Sequence, residues 1–211
     1  LFAAHVRELA GLHVRTHYEK MFTAEQGEAM LGRLPGWLSE PSATALVFGF
    51  VDMLTHGRSE SHLLWEVARD AAALRALTTS WFERSAALAA LREAARRGVP
   101  VLLTTDHGSV HCNRPVTVYA KRDATASLRY KFGRDLRVEQ PSAVFATSDP
   151  DALRLPPGGF HVNYVLCRED YYFVYPTKLR EYQSRYRDSF LHGGVSPEEM
   201  ILPVALLTPR G

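Results

Sequence analysis

Two carboxylate-imidazole pairs stand where apolar runs stop. Residues 99–110, VPVLLTTDHGSV, break off on Asp106-His107 and then Gly108, while residues 44–51, TALVFGFV, lead to Asp52, with His56 four positions on. A third imidazole, His192, precedes Gly193-Gly194 in FLHGGV and would be presented on a sharp loop. Imidazole plus carboxylate, without thiolate, is a donor set for zinc or manganese. Taken singly, each residue has a plainer reading: a strand-end Asp caps a following helix, and a buried His is usually a hydrogen-bonded core residue. Two strands that both end in Asp with a nearby His resist that reading, because like-charged acids in one crevice repel unless cations hold them. Five donors exceed one tetrahedral ion and fall slightly short of two. A pair of ions ~3.5 to 4 Å apart clamps the attacking and leaving oxygens of an in-line displacement at phosphorus.

Elements must bring these residues together. The near-continuous apolar stretch Val99, Val101, Leu102, Leu103 reads as a strand buried on both faces of a parallel sheet. Open α/β sheets bind ligands outside the carboxyl ends of such strands, and Gly108 lets the backbone turn there to aim Asp106 and His107. Residues 44–51 read as a second buried strand; a helix after it points Asp52 and His56 the same way. Residues 59–77 and 78–97 read as the crossover helices a parallel pair requires, stopped by Gly98 and Pro100, with Trp81 and Phe82 as core. Upstream, Thr23 and Gln26 form a capping box for a helix to about Leu34, ended by Pro35 and Gly36. His13 and His17 are four apart and would share a helical face, but no Glu lies between them and no buried strand delivers them.

Beyond Val110 the pattern becomes short and alternating, at 116–120, 143–146, 162–167 and 171–175, as in a β-rich insertion or sheet extension. Within it, LRYKFGRDLR interleaves Arg129, Lys131, Arg134 and Arg137 with aromatic and aliphatic residues. Such a stretch suits phosphate and base contacts and equally suits a solvated face beside a packed one. Residues 178–190 read as a Tyr- and Arg-rich helix. Ser196-Pro197-Glu198-Glu199 opens a short helical turn, and 201–207 read as a last buried strand whose Pro203 marks a bulge or an edge.

With 211 residues, 46% apolar, 23% charged and a net charge of +2, the chain has the composition of one soluble globular domain. Charges of both signs are interspersed, so no nucleic-acid footprint follows from the total. Cys112 and Cys167 are too few for a disulfide framework and fit no zinc ribbon, which points to a reducing, cytoplasmic setting. No apolar run approaches the ~18 to 20 residues of a membrane span. Leu1 is not an initiator Met and LFAAHVREL reads as the middle of an amphipathic helix, as in a piece of a longer protein.

The phrases FVDMLTHGRSE, TSWFERS, TTDHGSV, LRYKFGRDL and FLHGGVSPEEMILPVALLTP, in this order, resemble the PglZ domain of the alkaline phosphatase superfamily. Within it they are most similar to the effector domain of PorX-type response regulators of the type IX secretion system. The resemblance runs from about Tyr18 to the end and makes residues 1–211 the C-terminal portion of a single PglZ domain. It implies an α/β/α sandwich with a mostly parallel central sheet and a small β-rich insertion. It also implies two zinc ions, one held by Asp52, His56 and His192 and the other by Asp106 and His107. The activity implied is phosphoester hydrolysis through a Thr or Ser nucleophile, in the PorX-like group on cyclic or linear oligonucleotides, with Arg129 and Lys131 facing the substrate. In the superfamily the nucleophile and a first metal-binding Asp precede the equivalent of Asp52; no Asp lies ahead of Asp52 here, and Thr104 and Thr105 read as sheet residues. Those parts are therefore expected upstream of Leu1, together with a receiver domain. The partners expected are a nucleotide or oligonucleotide phosphodiester, that receiver domain and a second copy in a homodimer, with no membrane. The rival reading is a catalytically degenerate module that senses nucleotides or docks a partner; a third is another superfamily reaction, such as sulfate-ester hydrolysis.

Overall fold

Side-chain caps set the helix boundaries in the first part of the chain. The computed structural model describes residues 1–58, 61–120, 125, 127–156 and 162–210. Helix α1 (Phe2–Ala10) stops at Gly11, which takes the left-handed conformation at φ 64°. Strand β1 (Arg15–Met21) follows, then α2 (Ala24–Trp37). At the start of α2, Thr23 accepts from the Gln26 amide at 3.3 Å while Gln26 Oε1 accepts from the Thr23 amide at 3.2 Å, the reciprocal box read from sequence. Pro35 lies inside the last turn of α2 instead of ending it. Next come β2 (Ser42–Phe48), α3 (Phe50–Arg58), α4 (His62–Val67), α5 (Ala71–Glu83) and α6 (Ala86–Arg96).

The chain forms two units, and residues 1–54, 66–103 and 204–211 make the first. Strands β1 and β2 pair in parallel from Arg15 opposite Ser42 to Met21 opposite Phe48. Met21, Met30, Leu34 and Ala90 form its buried core, with Trp37, Leu46 and Phe48 packed around them. Gly27 permits the close approach of α2 and α6, since a Cβ there would lie 2.7 Å from that of Ala86. Trp81 stacks on Phe50 at 4.5 Å, as a core aromatic should.

Four expectations change here. His17 sits on β1 and stacks on Trp37 at 4.9 Å, while His13 lies beyond α1, so the two share no helix face. The segments expected at 59–77 and 78–97 are three helices. Asp70 accepts from the Ala73 amide and Ser85 from the Leu88 amide, and these caps restart the chain as α5 and α6; Ser59 and Glu60 lie outside the described residues. Strand β3 (Val101–Thr104) is short and leaves Leu102 62% exposed, instead of being buried on both faces. The final strand of this unit (Val204–Leu207), paired with β3, is likewise exposed and starts only after Pro203. Fourth, among the described residues the strands form five small separate sheets in a mixed α/β protein, not one large parallel sheet.

The second unit comprises residues 55–65 and 104–203. Its strands are β4 (Val110–Cys112), β5 (Arg114–Tyr119), β6 (Tyr130–Gly133), β7 (Arg137–Val138), β8 (Val144–Thr147), β9 (Asn163–Cys167) and β10 (Tyr171–Val174). Helix α7 (Leu179–Tyr186) follows, then β11 (Ser189–Leu191) and the single turn α8 (Pro197–Met200); the strand at Val204–Leu207 is β12. β10 and β5 run parallel and β7 joins β5 antiparallel; β6, β9 and β8 form an antiparallel sheet; β11 pairs antiparallel with β4. Val116, Val118, Val144, Val165 and Phe173 share one core cluster, and Val110, Tyr172, Val174 and Leu191 another. The helix expected over 178–190 ends at Tyr186, where the chain becomes β11. No helix among the described residues is long and apolar enough to cross a membrane.

Candidate metal centre

Three imidazoles meet inside the second unit. His56 comes from α3, His107 from the loop after β3, and His192 from the residue that follows β11. His56 Nε2 lies 3.2 Å from His192 Nε2, and the His107 and His192 rings stack at 3.8 Å with 13° between their planes. A ring nitrogen of His107 is within 4.8 Å of one of His192. Two nitrogens on one tetrahedral zinc, each ~2.0 to 2.1 Å from it, stand roughly 3.3 Å apart, so the His56-His192 spacing fits a shared ion. His107 Nδ1 is 3.0 Å from its neighbour's carbonyl, Gly108 O; with the proton on Nδ1, that bond leaves Nε2 its lone pair for a metal.

Asp106 is placed less closely. Asp106 Oδ1 is 3.9 Å from His107 Nε2, and its side chain is 89% exposed. Asp52 is exposed on α3, one turn ahead of His56, and a helix sets residues four apart on one face. The centre drawn from these contacts is therefore imidazole-rich, with Asp106 at its margin.

One turn of helix holds both of the loops that carry imidazoles. Glu199 in α8 accepts from Gly194 N through Oε1 at 2.9 Å and from Ser196 N through Oε2 at 3.0 Å, which fixes the loop after His192. Its backbone carbonyl accepts from Gly108 N at 3.2 Å, which fixes the loop after His107. A Cβ on Gly108 would overlap the Glu198 carbonyl oxygen, so this glycine is needed for close approach. Gly193 has φ 101°, a conformation that favours glycine.

Arg129 completes this arrangement. Its guanidinium is fully buried and donates to Glu199 Oε1 at 2.9 Å, to Glu199 Oε2, to Ser196 Oγ at 2.9 Å and to the Tyr171 carbonyl. Lys131 is buried too: Nζ donates to the Thr125 carbonyl at 2.5 Å and lies over the Tyr175 ring, and burial pushes its pKa down to about 8. Both cations are thus turned inward, their hydrogen-bond partners being carbonyls, a hydroxyl and a carboxylate of the interior. Sequence reasoning missed Glu199 as an organiser, although its signal was present: Ser196 and Glu199 form a capping box, and the same carboxylate serves that cap and Arg129.

The remaining candidates are inert here. Burial pushes the Cys112 thiol up to about 12 and raises that of Cys167, so neither is a thiolate ligand at neutral pH. Thr104 Oγ1 donates to the Pro203 carbonyl at 2.9 Å, and Thr105 Oγ1 donates to the His107 carbonyl at 2.9 Å.

These observations define a mixed α/β protein with a clustered-imidazole site suited to a divalent metal. Residues 4–207 match the family described as the BREX system PglZ alkaline phosphatase-like domain, and the chain belongs to that family. Among curated proteins no match was found.

Proposed function

We propose that the chain carries the metal-binding part of a zinc-dependent phosphoester hydrolase that acts on phosphodiesters of nucleotides or oligonucleotides. The 3.2 Å approach of His56 Nε2 to His192 Nε2, in a chain of an alkaline phosphatase-like family, carries this reading. Asp52, His56 and His192 would hold one zinc, and Asp106 with His107 a second. Bound zinc supplies positive charge for phosphoryl oxygens and lowers the pKa of a hydroxyl or water. The chain's own contribution is orientation: Gly108 O fixes the His107 ring, and Glu199 with Arg129 holds the loops of His107 and His192. Thr104 and Thr105 do not fill the nucleophile's role in this reading, since both hydroxyls donate to backbone carbonyls.

The finer reading, an effector of a PorX-type two-component regulator working with a receiver domain and a second copy, rests on the sequence phrases alone. Zinc-supplemented hydrolysis of bis(4-nitrophenyl) phosphate tests the activity. His56→Ala and Asp106→Asn are each expected to lose about 100-fold or more, as loss of a direct ligand exceeds the ~10- to 100-fold cost of losing its support. Full activity in both variants overturns the proposal. The alternative, a nucleotide-sensing module, predicts nucleotide binding with no turnover.

A further inference from the structure

A cavity of about 440 Å3 opens in the second unit, within the ~300 to 1,000 Å3 range of small-molecule sites. Trp65 at the end of α4, Asn113 between β4 and β5, Tyr172 of β10, and Gln183, Arg187 and Asp188 in and after α7 line it. Tyr172 is fully buried, and its hydroxyl has no hydrogen-bond partner among the described residues. Buried hydroxyls are nearly always paired, so this one marks a missing partner. Burial raises its pKa, which keeps it a donor at neutral pH. Trp65 is partly exposed, with the Arg58 guanidinium over its ring, 5.9 Å from the ring centre. That guanidinium and His111 Nε2, the latter at 3.0 Å, both bond the Asp188 carbonyl, which fixes the cavity wall.

An aromatic face, two amides, a buried donor and a guanidinium together suit a flat, hydrogen-bonding ring that carries an anion. We infer that this cavity is a nucleoside monophosphate site, separate from the imidazole cluster, in which the base stacks on Trp65 and Arg187 takes the phosphate. The Asn113 and Gln183 amides meet the base edge, amides being able to donate and accept at once. Asp188, whose carboxylate is 4.0 Å from His111 Nε2, favours an exocyclic amino group over a second anion on its side.

Calorimetric titration of the chain with AMP, in EDTA, tests the site without metal or turnover, so a failure of the hydrolase reading leaves this result independent. Saturable one-to-one binding is expected. Trp65→Ala is expected to weaken it about tenfold or more, as loss of base stacking does. Arg187→Ala is expected to cost about as much, through loss of a charge-assisted phosphate bond. Asn113→Ala, on the cavity wall, serves as the second test where either of those variants fails to show the native melting curve. Adenosine should bind more weakly than AMP, and inorganic phosphate more weakly than both. Absence of saturable binding at millimolar AMP overturns the inference, as does binding that Trp65→Ala and Arg187→Ala, or Asn113→Ala in their place, leave unchanged. Inorganic phosphate binding as tightly as AMP overturns recognition of the base.

Discussion

Glu199 is the residue on which the centre's geometry converges, because its side chain and its carbonyl hold the loops of two imidazoles while its carboxylate neutralises buried Arg129. Removing one member of a buried pair leaves the other uncompensated and costs ~3 to 5 kcal/mol. Glu199→Ala should therefore lower the stability measured by urea unfolding by about that amount, whereas Glu199→Gln, which keeps the acceptor oxygen, should lose less. Equal losses in both variants would contradict a role for the acceptor oxygen and assign the whole effect to the carboxylate charge. The candidate donors were conspicuous at this scale, as Asp and His at the ends of apolar runs. The inward course of Arg129 and Lys131 was not. Alternating cations and aromatics in LRYKFGRDLR define two faces, and only the packing of β6 against β9 tells which one is interior.

At the scale of elements, the loop between β3 and β4 is set by contact with α8. A Cβ at Gly108 meets backbone, which cannot rotate away, so Gly108→Ala should cost roughly 1 to 3 kcal/mol and weaken metal binding at His107. Thermal unfolding with and without zinc reads both effects; an unchanged melting temperature in both would contradict the close packing. Asp70→Ala should cost about 1 kcal/mol by loss of the α5 cap, with no change in metal affinity. Strands β5, β8, β9 and β10 were legible from alternation and turn residues and fall within a few residues of their expected places, whereas β4, β6, β7 and β11 were not foreseen as strands. Strand β1 escaped because RTHYEKM carries little apolar alternation, and its pairing with β2 decides its state. The apolar run before Asp106 was legible as a strand but not as an exposed one, because periodicity reports the apolarity of a segment and not its neighbours.

For the molecule as a whole, buried ionisable groups shape stability against pH. Lys131 has its pKa lowered from 10.5 to about 8, so above pH 8 the unfolded chain binds a proton the folded chain does not, and stability rises with pH. Cys112, raised from 9.0 to about 12, and Cys167, also raised from 9.0, act in the opposite sense. Above pH 9 the folded chain keeps protons that the unfolded chain releases, and stability falls. Their combined contribution therefore peaks near pH 9. Urea unfolding across this range should show a rise of at most ~1 kcal/mol between pH 8 and 9, absent in Lys131→Met. A rise that persists in Lys131→Met would assign it to other groups.

The central claim, that the imidazole cluster is a metal centre, is tested most directly by calorimetric titration of chelator-treated protein with zinc, comparing the wild type with His192→Ala. The account predicts saturable zinc binding by the wild type and a loss of affinity of about 100-fold or more in the variant, since His192 touches both other imidazoles. Zinc binding of equal affinity in the two proteins would contradict it.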